Sequence, residues 1–173
     1  MSTLRSIVIN QEKTDDIYEI YLLEPTRYIL NNYSQLFASW GKSPHSLIIV
    51  LLYSTIPLNN NCARVRREKN RLKENFLRLG KTIQLTLQKK QYLIEIIDPQ
   101  DGKPLNSTSD QIFLDSVAVV HKSLMMHYIS FGKCKLLHHP FQKTSIYPGL
   151  MITNAKTERI RDLITAKIVS DSK

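Results

Sequence analysis

The sequence predicts an α+β fold, a mostly antiparallel sheet with helices packed against it. Three observations predict it. The continuous apolar run Leu47 to Tyr53 has strand length and reads as a central strand covered on both faces. Long amphipathic helical segments interrupt the short strands. Two further strands, Cys134 to His139 and Thr144 to Thr153, read as an antiparallel hairpin joined through His139-Pro140-Phe141-Gln142-Lys143.

The elements follow in order. Ser2 to Asn10 alternates weakly and Ile17 to Leu22 is short and apolar, so both read as strands. Residues 26–40 read as a helix: Tyr28, Ile29, Tyr33, Leu36, Phe37 and Trp40 recur at spacings of three and four, Thr26 caps the start and Gly41 ends it. After the central strand, Pro57 and Asn59-Asn60-Asn61 make a loop. A long helix follows from Ala63 to Lys89, with Val65, Leu72, Phe76, Leu79, Ile83 and Leu87 on one stripe and basic residues over the rest. Gly80 inside it costs about 1 kcal/mol relative to Ala. Tyr92 to Ile97 reads as a strand closed by a turn at Asp98-Pro99 and Asp101-Gly102. Residues 113–129 read as a helix capped by Asp115 or Ser116, and Thr157 to Val169 as a last amphipathic helix carrying Ile160, Leu163, Ile164 and Ile168.

At 173 residues with 42% hydrophobic side chains, the chain is expected to form a single domain over 1–173 with a core that needs no staple. Its two cysteines, Cys62 and Cys134, form no CxxC pair, which fits a reducing compartment. The N-terminus shows no signal or transit pattern and the longest apolar run is too short for a bilayer, so a cytoplasmic location is expected. The net charge of +9 is local: residues 64–90 carry ten Lys or Arg against Glu68 and Glu74, while the first 31 residues are mildly acidic.

The densest polar site is the segment KCKLLHHPFQKTSIYPGLMIT. In a strand Cys134, Leu136 and His138 share one face, and Lys133, Lys135, Leu137 and His139 the other. A zinc site would need further ligands; His121, His127 and Cys62 lack metal-ligand spacing. No orienting group or oxyanion hole accompanies a Cys-His nucleophile pair. There is no GxGxxG or Walker loop, and Ser116 and Ser123 lack a nucleophile elbow. Asp98 and Asp101 read as turn builders, Gly132 and Gly149 as turn or bulge residues, and Met125 and Met126 as core filler. The basic helix reads as a solvated face, with nucleic-acid binding as a rival role. No recognisable nucleic-acid module accompanies it.

Order then matters more than residue type. REKNRLKENFLRLG, LQKKQYLIEIIDPQDGKPL and KCKLLHHPFQKTSIYPGLMITNA, in that order from Arg67 to Leu163, resemble the methylmalonic aciduria and homocystinuria type D protein family, in a compact, bacterial-type version. The first 60 residues match loosely. The resemblance implies a nitroreductase-like α+β fold that has lost flavin binding and activity. It implies a part in intracellular cobalamin handling through a type C cobalamin-processing protein, which holds the vitamin. In animal members a hairpin-strand thiol can ligate cobalt, from a Cys-Cys pair that corresponds to Lys133-Cys134 here. The cobalt-linked cysteine of that pair falls on Lys133, and Cys134 leaves on the opposite face.

The function expected is therefore a non-catalytic cobalamin-trafficking adaptor that routes the cofactor to dependent enzymes. Its partner interface is expected at Lys133, Cys134, Lys135, His138, Ile146 and Tyr147, with Cys134 as the thiolate a cobalt ion would meet. No stably bound cofactor, metal, membrane or specific nucleic acid is expected. A nucleic-acid-binding protein using helix 64–90, or a flavin- or metal-dependent enzyme of the same fold, are the rival readings.

Overall fold

The structure is a computed structural model that describes residues 5–11, 16–106 and 112–171, with side chains placed over 17–106 and 112–166. The α+β architecture predicted from the sequence is the one observed. The order is β1 (Arg5–Gln11), β2 (Asp16–Leu23), α1 (Arg27–Leu36), β3 (Ser46–Tyr53), α2 (Ala63–Gln88), β4 (Ile94–Ile97), α3 (Ser116–Leu124), β5 (His127–Phe131), β6 (Cys134–His138), β7 (Ile146–Thr153) and α4 (Thr157–Asp171). Of the expected first strand, Ser2 to Leu4 lie outside the described residues.

A five-stranded sheet runs β1-β2-β3-β7-β4, antiparallel at every pairing, and β5 and β6 form a separate two-stranded ribbon. β3 is the middle strand and is buried on both faces, as its unbroken apolar run requires. Alternation then sorts the core. Ile48, Val50 and Leu52 of β3 join Phe76, Leu72 and Ile83 of α2 and Ile160 and Ile164 of α4 on one face. Leu47, Ile49 and Leu51 join Ile29 and Leu36 of α1 and Val119 and Val120 of α3 on the other.

The helices begin where the sequence signals them. Thr26 Oγ1 accepts from Ile29 N at 3.4 Å, and Asp115 Oδ1 accepts from Ala118 N at 3.0 Å. In α2 the buried stripe is Val65, Leu72, Phe76, Gly80, Ile83, Gln84 and Leu87, with Leu79 only half-buried at its flank. Gly80 belongs to that stripe because a Cβ there would stand 3.1 Å from Ile96 Cδ1 of β4. Gly149, expected at a turn or bulge, sits in unbroken register opposite Val50; the ring of Phe76 fills the space its Cβ would need. The 98–102 turn is built as predicted: Asp98 Oδ1 accepts from Gln100 N, Asp101 Oδ1 accepts from Lys103 N, and Gly102 takes φ +73°.

Four expectations are corrected. The helix read over 26–40 ends at Leu36, with Phe37 as its C-cap. Met125, read with Met126 as core filler, is 79% exposed, and only Met126 is buried. The helix read over 113–129 ends at Leu124, because Met125 turns left-handed at φ 54°, and His127–Phe131 is a strand. The hairpin partner of β6 is consequently β5, not the 144–153 segment. That segment is β7, which lies inside the main sheet between β3 and β4 and is no edge strand.

Candidate functional site

The β5–β6 ribbon turns through Gly132-Lys133. Gly132 has φ 58°, the positive value that a two-residue hairpin turn with glycine in first place demands. Register pairs Phe131 with Cys134, Ile129 with Leu136 and His127 with His138 on one face, and Ser130 with Lys135 and Tyr128 with Leu137 on the other. Leu136 and Leu137 are buried in the two opposite cores, so β6 is pinned from both sides at its middle. Every residue of β5 is exposed, as are Lys133, Cys134 and Lys135. The outer edge of β6 has no strand partner among the described residues.

Lys135 is held in place. Its Nζ lies 3.1 Å from Asp115 Oδ2, at the N-cap of α3, and 5.6 Å from the centre of the Tyr128 ring. The Asp115 carboxylate raises the pKa of Lys135. Burial pushes the Asp115 carboxyl up, but the Ala118 N–H and Lys135 outweigh it and leave it below its ordinary value.

Beside the ribbon opens a cleft of about 810 Å³. One wall is the α2 face carrying Arg66, Lys69, Asn70 and Lys73, spaced three, four and seven along the helix from Arg66. The facing wall is Cys134 and Lys135 of β6 with the start of α3, and the turn at 99–102 forms the rim. Leu58, Ile146, Tyr147 and Pro148 contribute an apolar floor. This floor exists because β4 stops short. Its last pair with β7 is Ile97 with Leu150, so β7 has one uncovered edge from Gly149 back to Ile146. Pro148, which cannot donate to a ladder, occupies that stretch, and its pairing with Leu51 continues without a bulge. Burial, with the Asp98 charge, pushes the Tyr147 phenol up to about 12.

Four of the six residues read as an interface, Cys134, Lys135, Ile146 and Tyr147, therefore line one cleft. Lys133 stands at the hairpin tip, and half-buried His138 faces His127 across the ribbon; neither lines the cleft. Sequence reasoning missed Arg66, Lys69 and Asn70 as members of the site. Their helical spacing was the available signal, but nothing local says which face of α2 the hairpin would approach.

A second polar cluster is buried away from the cleft. Glu19 of β2, only 6% exposed, accepts hydrogen bonds from the hydroxyls of Tyr21 and Tyr53, and its Oε1 lies 3.4 Å from His139 Nε2. His139 Nδ1 accepts from Phe141 N and Gln142 N at 3.2 and 3.1 Å, so the proton of the neutral ring sits on Nε2, towards Glu19. Both thiols are exposed and unpaired, and Cys62 at the start of α2 has its pKa lowered by the Val65 N–H, with Arg64 and Arg66 adding to it. Among the described residues no three His, Cys, Asp or Glu side chains gather as metal ligands. No described helix is long and apolar enough to cross a membrane.

These features define an α+β protein with an exposed thiol ribbon beside a basic-walled cleft. The chain belongs to the methylmalonic aciduria and homocystinuria type D protein family, whose sequence model matches residues 13–164. The match begins between β1 and β2 and so takes in β2, α1 and β3, ahead of the segments that carry the resemblance in the sequence. Membership places the chain in cobalamin metabolism. No curated protein matches it.

Proposed function

We propose that this chain works as a cobalamin-trafficking adaptor. It docks a cobalamin-processing protein, of the type C kind where the host has one, and helps route the cofactor to dependent enzymes without catalysing a reaction. The observation that carries this reading is the β5–β6 ribbon, where an exposed thiol, Cys134, sits directly across from exposed Phe131 and beside an unpaired strand edge. A strand edge offers main-chain N–H and C=O groups to a partner, and exposed apolar side chains on one ribbon face mark a surface for contact. Neither requires a catalytic constellation. A soft thiolate is a suitable ligand for cobalt, so docking can bring Cys134 to a partner-held cobalamin. Lys133 at the hairpin tip leaves Cys134 as the thiol available there. The same reading places the chain in the cytoplasm with no stably bound cofactor of its own.

The test titrates a cobalamin-loaded processing protein with wild type, Cys134→Ser and Phe131→Asp, following complex formation and the cobalamin spectrum separately. Docking should survive Cys134→Ser, with any spectral change lost, and should weaken at least about tenfold for Phe131→Asp, since a charge would be buried in the contact. Absence of a complex with wild type, or full binding by Phe131→Asp, refutes docking through the ribbon. One equivalent of flavin or zinc in the purified protein, seen by absorbance or elemental analysis, would favour an enzyme instead.

A further inference from the structure

The basic face of α2 has no role in the docking just proposed, yet part of it walls a cleft. Lys73 is paired with Asp98 at 2.8 Å and Lys135 with Asp115 at 3.1 Å. Arg66 and Lys69, one turn apart, make no ion pair with the described residues. Arg66 Nη1 donates only to a carbonyl, Asn61 O at 2.8 Å, which fixes the guanidinium and leaves its charge free. Counting Asp101, whose Oδ1 accepts from Lys103 N, the cleft lining carries four basic against two acidic side chains. Lys73 is offset by Asp98 outside the lining, so the net excess is one positive charge, on the Arg66–Lys69 side.

The opposite wall is the first turn of α3, where Ser116 is 8% exposed and its Oγ is buried beneath the cleft surface. The floor between these walls is apolar, Ile146, Tyr147 and Pro148, and Phe113 flanks it, half exposed with Lys103 Nζ 5.6 Å from its ring centre. A volume of about 810 Å³ is in the range of sites that enclose a nucleotide-sized molecule.

From these observations we infer that the cleft between α2, β6 and the start of α3 binds a phosphate-bearing small molecule of mononucleotide size. Arg66 and Lys69 take the dianionic phosphate, with the Asn70 amide beside them. The apolar floor and Phe113 take the organic body. Two free cations one helical turn apart match a phosphate dianion better than a carboxylate, which carries a single charge. The ligand is exchangeable, and its site meets the docking face of the ribbon at Cys134. Because Cys134 is also part of the lining, a bound ligand shields its thiol.

The experiment uses the full chain and four probes: adenosine 5′-monophosphate, adenosine, inorganic phosphate and a short oligothymidylate, each followed by calorimetric titration. Adenosine monophosphate should bind saturably below about 1 mM, and adenosine and phosphate at least about tenfold more weakly, since each makes only half of the contacts. Arg66→Ala and Lys69→Ala should each lower that affinity about tenfold, as the loss of a charge-assisted contact does. Lys89→Ala/Lys90→Ala removes two exposed charges outside the cleft and should leave it unchanged. In a Cys62→Ser background, saturating mononucleotide should slow alkylation of Cys134. No saturable mononucleotide binding up to about 10 mM overturns the proposal. So does an equal loss in the Lys89/Lys90 variant, or oligothymidylate binding where the mononucleotide does not, which would return the basic helix to nucleic acid.

Discussion

Phe76 against Gly149 is the tightest contact in the seating of α2 on the sheet, and Gly149→Ala tests it. A Cβ at Gly149 would stand 2.3 Å from both Cδ2 and Cε2 of Phe76 and 2.7 Å from its Cγ. Carbon atoms in contact prefer about 3.5–4.0 Å, so the deficit exceeds about an ångström at two atoms at once. Phe76 is fully buried and belongs to the packed core between α2 and the sheet, so the ring has no free space to enter. Overpacking of a good core costs about 1–3 kcal/mol, and this contact belongs at the top of that range or above it. Replacing glycine by alanine in a strand would otherwise gain about 0.5–1 kcal/mol, so even the sign reports the contact. Phe76→Ala alone should cost about 3–5 kcal/mol. In the double variant the ring that collides is gone and the new methyl occupies part of its space. The pair should then cost about as much as Phe76→Ala alone, a favourable coupling of about 2–3 kcal/mol. The assay is equilibrium urea unfolding of the four proteins followed by far-ultraviolet circular dichroism. A neutral Gly149→Ala, or a double variant additive within about 0.5 kcal/mol, would refute this seating.

Three further outcomes are expected. Arg71, with the Thr55 N–H and Ser54, holds the Glu68 carboxyl at about 2, so its contribution is present above the ordinary carboxyl pKa and is lost as pH falls towards 2; Glu68→Gln should flatten acid destabilisation in that window, and an unchanged slope would contradict it. Asp115→Ala should cost about 1 kcal/mol of stability and Asp115→Asn a few tenths, because Asn keeps the cap to Ala118 and loses only the exposed pair with Lys135, which a thermal melt will separate. Gly102→Ala should destabilise by more than about 1 kcal/mol in urea, since its φ of +73° disfavours a side chain and its Cβ would approach the Leu114 carbonyl oxygen to 2.5 Å.

Much of this fold is legible because single segments carry their own instruction. The β3 run has no polar face, so it must be central, and α2 shows its buried stripe from Val65 to Leu87, about six turns. Thr26 and Asp115 cap the helices they precede. What was not legible depends on contacts between distant segments. HYISF of β5 alternates too weakly to announce a strand, and Met125 breaks the helix before it in a left-handed conformation that glycine or asparagine would have signalled. With β5 hidden, β6 had only β7 to pair with, and the hairpin was drawn through the wrong strands. Gly149 looked like a turn for the same reason: the phenyl ring that requires it lies 73 residues earlier, at Phe76. The cysteine and lysine of the site stood out as types, whereas the α2 wall became part of the site only once β6 was placed opposite it.

The buried Glu19 carboxyl is held by Tyr21, Tyr53 and His139, and it yields the last prediction. Its carboxylate is met by two phenol hydroxyls and by the Nε2 side of a neutral imidazole whose other nitrogen is occupied by two backbone N–H groups. Such a cluster is stable only while both phenols keep their protons, because a phenolate would face the carboxylate at hydrogen-bond distance. Burial, and then the hydrogen bond to Glu19, raise the pKa of Tyr21 and of Tyr53 well above the ordinary phenol value. A folded pKa above the unfolded one means stability that is full below the unfolded phenol value of about 10 and is lost as pH rises beyond it. Tyr53→Phe removes one donor and one titrating group together. At pH 7 it should cost about 1–3 kcal/mol, the range for leaving a buried acceptor short of a partner. Above pH 10 the variant should lose stability less steeply than wild type, so the two urea-midpoint curves converge as pH rises. Parallel curves would mean that the Tyr53 hydroxyl is not engaged with Glu19, and a variant as stable as wild type at pH 7 would mean that the carboxylate is satisfied without it.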